Sequence, residues 1–185
     1  MTRLLRRVEA AARGLVREAR LADYYRVGNG RIAQGRAKLA PTVDRLVEQG
    51  RLDRVLLAGS GDVALVPGGQ GEAVAALEAA PRGAFLLSPF DNMLWDRIEA
   101  RALFGFDHAL EIYKRPHERI WGYYVLPLVD GSDIVGRVDT KADRQAGVLR
   151  ALAVHWQARP RPRALREALG RLAWLLRLET TEVVA

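Results

Sequence analysis

Three carboxylates, Asp91, Asp96 and Glu99, lie close together at the start of one helix-forming run. Paired carboxylates are what hydrolysis of a glycosidic bond uses, one activating water while the other protonates the departing atom. Asp91 and Asp96 are therefore the candidate catalytic residues. The same residues have a plainer reading, and it is the stronger one. An aspartate ahead of a helix caps the backbone N–H groups of its first turn, and Asp96 and Glu99 can pair with Arg97, Arg101 or a strand arginine. Arg137, Asp139, Lys141, Asp143 and Arg144 form a second charged series, running along a strand into a turn. A charge network holding the turn fits that series better than catalysis, with Lys141 and Arg144 left as candidate phosphate contacts. His108, His117 and His155 are scattered and there is no cysteine, so no metal or other cofactor is expected. A glycine-rich phosphate loop followed by lysine and a serine nucleophile elbow are both absent.

The charge is unevenly placed. Of the net +7 carried by 185 residues, all is found in residues 1–54, and the remainder is balanced. Within that balanced remainder, residues 159–177 hold six arginines against Glu167 alone. Segregated positive charge is the footprint expected of a phosphate-backbone binder. The absence of cysteine fits a reducing, cytoplasmic setting. The longest apolar run, Leu172 to Leu178, is interrupted by Arg177 and falls far short of a bilayer span, so no membrane partner is expected.

The elements that must position these residues can be read from periodicity. Leu4, Val8, Ala11, Leu15 and Ala19 recur at helical spacing, and Leu21 to Val27 continues as a short helix stopped by Gly28-Asn29-Gly30. A second helix carries Leu39, Val43, Leu46 and Val47 on one face, with Pro41 starting or kinking it and Gly50 ending it. This helix would present Arg31, Arg36, Lys38 and Arg45 as DNA contacts, as a recognition helix does in a major groove. Asp53–Leu57 and Val63–Pro67 read as a hairpin. That order is the order of a winged helix-turn-helix, assigned to residues 1–70. In residues 71–185 the expected elements are a helix from Glu72 to Ala80, a strand Ala84–Leu87, a helix Asn92–Leu103, strands His108–Tyr113, Arg119–Leu128, Ile134–Asp139 and Val148–Trp156, and a terminal helix with Leu165, Leu169, Leu172 and Leu176 inward. By strand alternation only one of Tyr123 and Tyr124 faces the core, leaving the other able to stack on a base. The fold class is α+β: a winged helix-turn-helix followed by a small antiparallel β-domain, a sheet or partial barrel, with a C-terminal helix.

Five ordered blocks go further: Ser88-Pro89-Phe90-Asp91, Trp95-Asp96-Arg97, Leu103-Phe104-Gly105-Phe106, Gly122 to Leu128, and Gly136 to Arg144. Together they resemble the C-terminal half of the winged-helix DNA glycosylases of the AlkZ/YcaQ type, and Leu21 to Arg26 with Leu46 to Leu52 resembles the family's last winged-helix repeat. The resemblance implies metal-free excision of alkylated or interstrand-crosslinked bases from duplex DNA. It also implies a catalytic Gln-x-Gln or Gln-x-Asp motif in an N-terminal region. Here Gln34, Gln49, Gln70, Gln145 and Gln157 are followed two positions later by Arg36, Arg51, Glu72, Gly147 and Arg159, so none completes the motif. The expected function is the DNA-holding portion of such a glycosylase, partnered by duplex DNA and by an N-terminal catalytic half. The alternatives are a non-enzymatic winged-helix module that binds DNA or regulates, a stand-alone glycosylase using Asp91 or Asp96, and a structural fragment that binds nothing strongly.

Overall fold

A computed structural model describes residues 14–24, 27–28, 31–57, 60–72 and 82–184, and the chain divides into two compact units, Met1–Ala79 and Ala80–Ala185. The architecture is mixed α+β with largely antiparallel sheets and a C-terminal helix.

In the first unit, Val16–Arg17 (β1) leads through a 3-10 turn, Glu18–Arg20, into Leu21–Tyr24 (α1) and then Ile32–Glu48 (α2), Leu52–Leu56 (β2) and Val63–Pro67 (β3). The strands form an antiparallel sheet of order β1-β3-β2, with Leu52 opposite Pro67 and Leu56 opposite Val63. Most of the expected first helix lies outside the described residues. Its last part is not helical: Gly14 has φ +66°, and β-branched Val16 pairs with Leu65 across the sheet. Pro41 lies inside α2 and does not start it. An interior proline costs roughly 3 kcal/mol, but Leu39, Val43 and Leu46 are each at most 2% exposed. At about 1.5–3 kcal/mol for each buried side chain, the packing outweighs the break. The helix ends at Gly50, whose positive φ lets its N–H reach Val47 O while Arg51 N–H reaches Leu46 O. Between α1 and α2 the backbone passes so closely that a Cβ on Gly35 would stand 2.2 Å from Val27 O and 2.7 Å from Ala22 Cβ. Only glycine fits there.

In the second unit, Ala84–Leu86 (β4), Val125–Asp130 (β5), Asp133–Asp143 (β6), Val148–Trp156 (β7) and Thr180–Val183 (β8) form one sheet in sequence order. All neighbours are antiparallel except β7 and β8. The exception follows from Pro162–Leu176 (α5), which carries the chain back along the sheet, as a parallel pair requires. Strand β8 is absent from the sequence reading because Thr180–Val183 is exposed throughout and shows no alternation. Helix α5 lays Ala164, Leu165, Ala168, Leu169 and Ala173 against Leu128, Val135, Val138, Leu149 and Ala151. A second cluster joins Leu87, Leu94, Ala100 and Phe106 to Val129 and Ile134. Strand β5 contributes to both clusters, which explains its unbroken Val-Leu-Pro-Leu-Val run.

Three expectations are corrected in this unit. The helix Asn92–Leu103 is two helices, Asn92–Trp95 (α3) and Arg97–Phe104 (α4), because Asp96 adopts extended φ/ψ and caps the second. The strand His108–Tyr113 does not form, and Arg119–Tyr124 precedes β5 without joining it. The expected helix from Glu72 to Ala80 lies almost entirely outside the described residues.

Candidate nucleic-acid interface

Asp91 and Asp96 both serve helix starts. Asp91 Oδ1 accepts from Met93 N at 2.9 Å, and Asp96 Oδ1 accepts from Ile98 N at 3.0 Å and Glu99 N at 3.2 Å. Asp96 and Glu99 are buried, at 4% and 3% exposure. A carboxylate already accepting backbone N–H groups in a helix cap is poorly placed to take a proton from water.

The basic residues of α2 divide into two sets. An α-helix turns about 100° per residue, so residues seven apart recur within about 20° of one another. Arg31 at the N-cap, Lys38 and Arg45 are spaced by seven and run along one flank of the helix, all exposed. Arg36, two residues before Lys38, falls on the opposite flank, beside a shallow depression lined by Glu18, Leu21, Ala22, Leu39 and Val43. The four expected contacts therefore do not share one face. Three acidic groups of this unit, Glu18, Asp44 and Asp62, are committed to other arginines, while Glu48 is exposed at the end of α2. Glu18 and Asp44 bind Arg54 at 2.9 and 2.6 Å, and Asp62 binds Arg17 at 2.7 Å. Glu18 first, and then Asp44, hold the Arg54 guanidinium well above its ordinary range. Arg31, Lys38 and Arg45 make no ion pair with any described residue.

In the second unit Lys141 and Arg144 are exposed at the end of β6 and in the turn after it. They are not part of the charge network expected there, which consists of Asp143, Arg150 and Glu182. Asp143 accepts from Ala146 N at 3.1 Å and faces Arg150 at 3.5 Å, and Arg150 also pairs with Glu182.

A residue the sequence did not single out, Glu111, and others it read differently build the most elaborate feature, the irregular segment 105–124. Glu111, 1% exposed, accepts from Trp121 N at 2.7 Å, Ile120 N at 2.9 Å and Lys114 Nζ at 2.7 Å. Burial pushes its carboxyl up, but these donors together leave it below the usual range. Asp139, 8% exposed on β6, accepts from Tyr124 N at 3.0 Å and Tyr123 N at 3.2 Å. Gly122, with φ +136°, lies so close that a Cβ would meet the Asp139 carboxyl at 2.3 Å. The Arg137 guanidinium lies between two rings, 4.2 Å from the Trp121 centroid and 4.5 Å from that of Phe106. His155 packs edge-on to Trp121 and its Nε2 lies 3.0 Å from Trp121 O. The signal was present in Asp139 and Arg137, read as turn charges, but strand alternation gave no hint that they reach back to a loop.

A family model for DNA glycosylase AlkZ-like proteins matches residues 2–174. The chain belongs to the AlkZ-like DNA glycosylase family. This is a family of DNA repair glycosylases, and its substrate is DNA. No solved structure matches the chain. Among the described residues of this AlkZ-like protein, no group of His, Asp and Glu is placed to hold a metal ion, and no helix is long and apolar enough to cross a membrane. Its buried carboxylates, Asp96, Glu99, Glu111 and Asp139, sit within the protein's own framework.

Proposed function

We propose that this chain is the duplex-DNA-holding portion of an AlkZ-like glycosylase that excises alkylated or crosslinked bases. In this reading residues 1–70 act as a winged helix-turn-helix with α2 as the helix facing DNA, and residues 71–185 are the β-domain. The single observation that carries it is the line of Arg31, Lys38 and Arg45, exposed at seven-residue spacing while Glu18, Asp44 and Asp62 are taken up by other arginines. The order of helix, turn, helix and antiparallel hairpin supports the same assignment. Arg36 serves it less well from the opposite flank, and Lys141 and Arg144 are secondary phosphate contacts. Catalysis in this reading depends on a Gln-x-Gln or Gln-x-Asp segment, which does not occur among these residues. Stand-alone hydrolysis by Asp91 or Asp96 is disfavoured by their capping bonds. A non-enzymatic DNA-binding module shares the same contacts and differs only in having no catalytic partner.

Titration of a fluorescent duplex at increasing salt tests the proposal. Binding should weaken steeply, because each neutralised phosphate releases counterion. Changing Arg31, Lys38 and Arg45 together to Ala should reduce the log–log salt slope by about 2–3 and weaken binding without unfolding the chain. A slope unchanged in that variant would remove α2 as the contact face, and no binding at low salt would remove the reading itself.

A further inference from the structure

Segment 105–124 is long, irregular and tightly held, a combination that needs a reason. Loops of this length inside a compact domain are uncommon and are usually functional. This one contains a single 3-10 turn, Pro116–Glu118, and its backbone donors at Ile120, Trp121, Tyr123 and Tyr124 are met by the buried carboxylates of Glu111 and Asp139. Burying two carboxylates to hold a connection is costly. The result is a fixed backbone that buries Phe106 and leaves Tyr113, Ile120 and Tyr123 outward. Tyr113 is 86% exposed, Ile120 69% and Tyr123 56%.

One side chain ties the two ends of the loop together. Arg119 donates through Nε to Lys114 O at 3.0 Å and places its guanidinium 4.7 Å from the Tyr123 ring centroid, which joins the Tyr113–Lys114 end of the loop to the Tyr123 end. Arg115 and Arg119 supply positive charge, while Lys114 is ion-paired with the buried Glu111 at 2.7 Å. Of the acids in the same stretch, Glu111 is taken up by Lys114 and Asp107 by Arg101, while Glu118 is turned to its own helix start, accepting from Arg115 N at 3.1 Å, and keeps its charge. Exposed rings beside cations, on a backbone that cannot collapse onto them, match an unstacked base and its flanking phosphates. A paired duplex hides the faces of its bases and fits the rings poorly.

We propose that Tyr113 and Tyr123, on the clamped loop 105–124, form a stacking platform for a DNA base that has left the helical stack, with Arg115 and Arg119 contacting the adjoining phosphates. The inference rests on the DNA-binding reading above and adds a contact selective for the disrupted base. It gives the second unit a part in recognition, separate from the groove contact assigned to α2.

The test compares two duplexes of identical flanking sequence, one fully paired and one carrying a single unpaired 2-aminopurine. The intact chain should bind the second about tenfold more tightly and quench its fluorescence by stacking. Changing Tyr113 and Tyr123 together to Ala should abolish both the preference and the quenching, while leaving binding of the paired duplex and its salt slope unchanged. The Tyr113→Phe/Tyr123→Phe chain, which keeps the rings, should retain both. Thermal melting establishes that each variant is folded. Equal binding of the two duplexes by the intact chain, or a preference that survives in the folded alanine variant, overturns the platform and leaves the proposed function standing. Failure to bind either duplex at low salt overturns both.

Discussion

At the scale of single residues, a charge withdrawn from water is tolerable only when it is compensated, and the buried Glu111 and Asp139 and the half-buried Arg137 are compensated differently. Glu111 uses two backbone N–H groups and an ammonium, Asp139 uses two backbone N–H groups, and Arg137 uses two aromatic faces. The Asp139 arrangement exists only because residue 122 has no side chain. Gly122→Ala should therefore destabilise the second unit by roughly 2 kcal/mol or more in chemical denaturation, since both its φ and its contact with Asp139 forbid a Cβ. Nearby, His108 is partly buried with Nε2 3.0 Å from Pro89 O, and burial first, then the charges of Arg97 and Arg137, lower its pKa from the ordinary 6.5. The unfolded chain takes up that proton as pH falls through 6.5 and the folded chain resists it. Stability should accordingly begin to fall below pH 6.5. Glu111, with its pKa lowered from 4.5, adds a further loss below pH 4.5, where the unfolded carboxyl is protonated first. Melting temperature measured from pH 8 to pH 3 should show both declines, and His108→Gln should remove the upper one.

At the scale of elements, the break at Asp96 turns one expected helix into α3 and α4 and decides what the two candidate catalytic carboxylates do. Asp96 satisfies two N–H groups of an eight-residue helix from a buried position, whereas Asp91 satisfies one N–H of a four-residue helix. Asp96→Ala should cost about 1–2 kcal/mol, and Asp91→Ala less than about 1 kcal/mol. Denaturant titration of the two variants will rank them, and equal costs would show that the cap at Asp96 is not what holds α4. The hairpin β2–β3, the strands β6 and β7 and the terminal helix were legible because alternation and the spacing of Leu165 and Leu169 match what they bury. Strand β1 and the false strand His108–Tyr113 were not. Val16 becomes a strand by pairing with Leu65, forty-nine positions away, and the segment around Glu111 stays irregular while its carboxylate accepts the N–H groups of Ile120 and Trp121, nine and ten positions on. Local propensity cannot report partners that distant.

At the scale of the whole molecule, the chain supplies exposed cations in one unit and a braced aromatic loop in the other, but its carboxylates are capping or clamping groups and its glutamines do not form the family's motif. The purified 185-residue chain should therefore release N7-alkylguanine from duplex DNA no faster than the uncatalysed rate. A base-release assay decides this, and turnover abolished by Asp91→Asn or Asp96→Asn in a folded chain would reverse it. The sequence by itself determined the family, through five blocks in order, and the α+β class, through the change from helical to alternating periodicity. It also determined that positive charge is concentrated at the N-terminal end. Only the tertiary structure decided that Arg36 lies beside Glu18, Leu21 and Ala22, that Tyr123 and Tyr124 are both exposed, and that Asp139 and Arg137 hold a loop. The physical reason is common to all three. Which groups meet is set by where helices and strands pack, and a buried carboxylate finds its N–H donors through space, at separations that no local pattern in the sequence encodes.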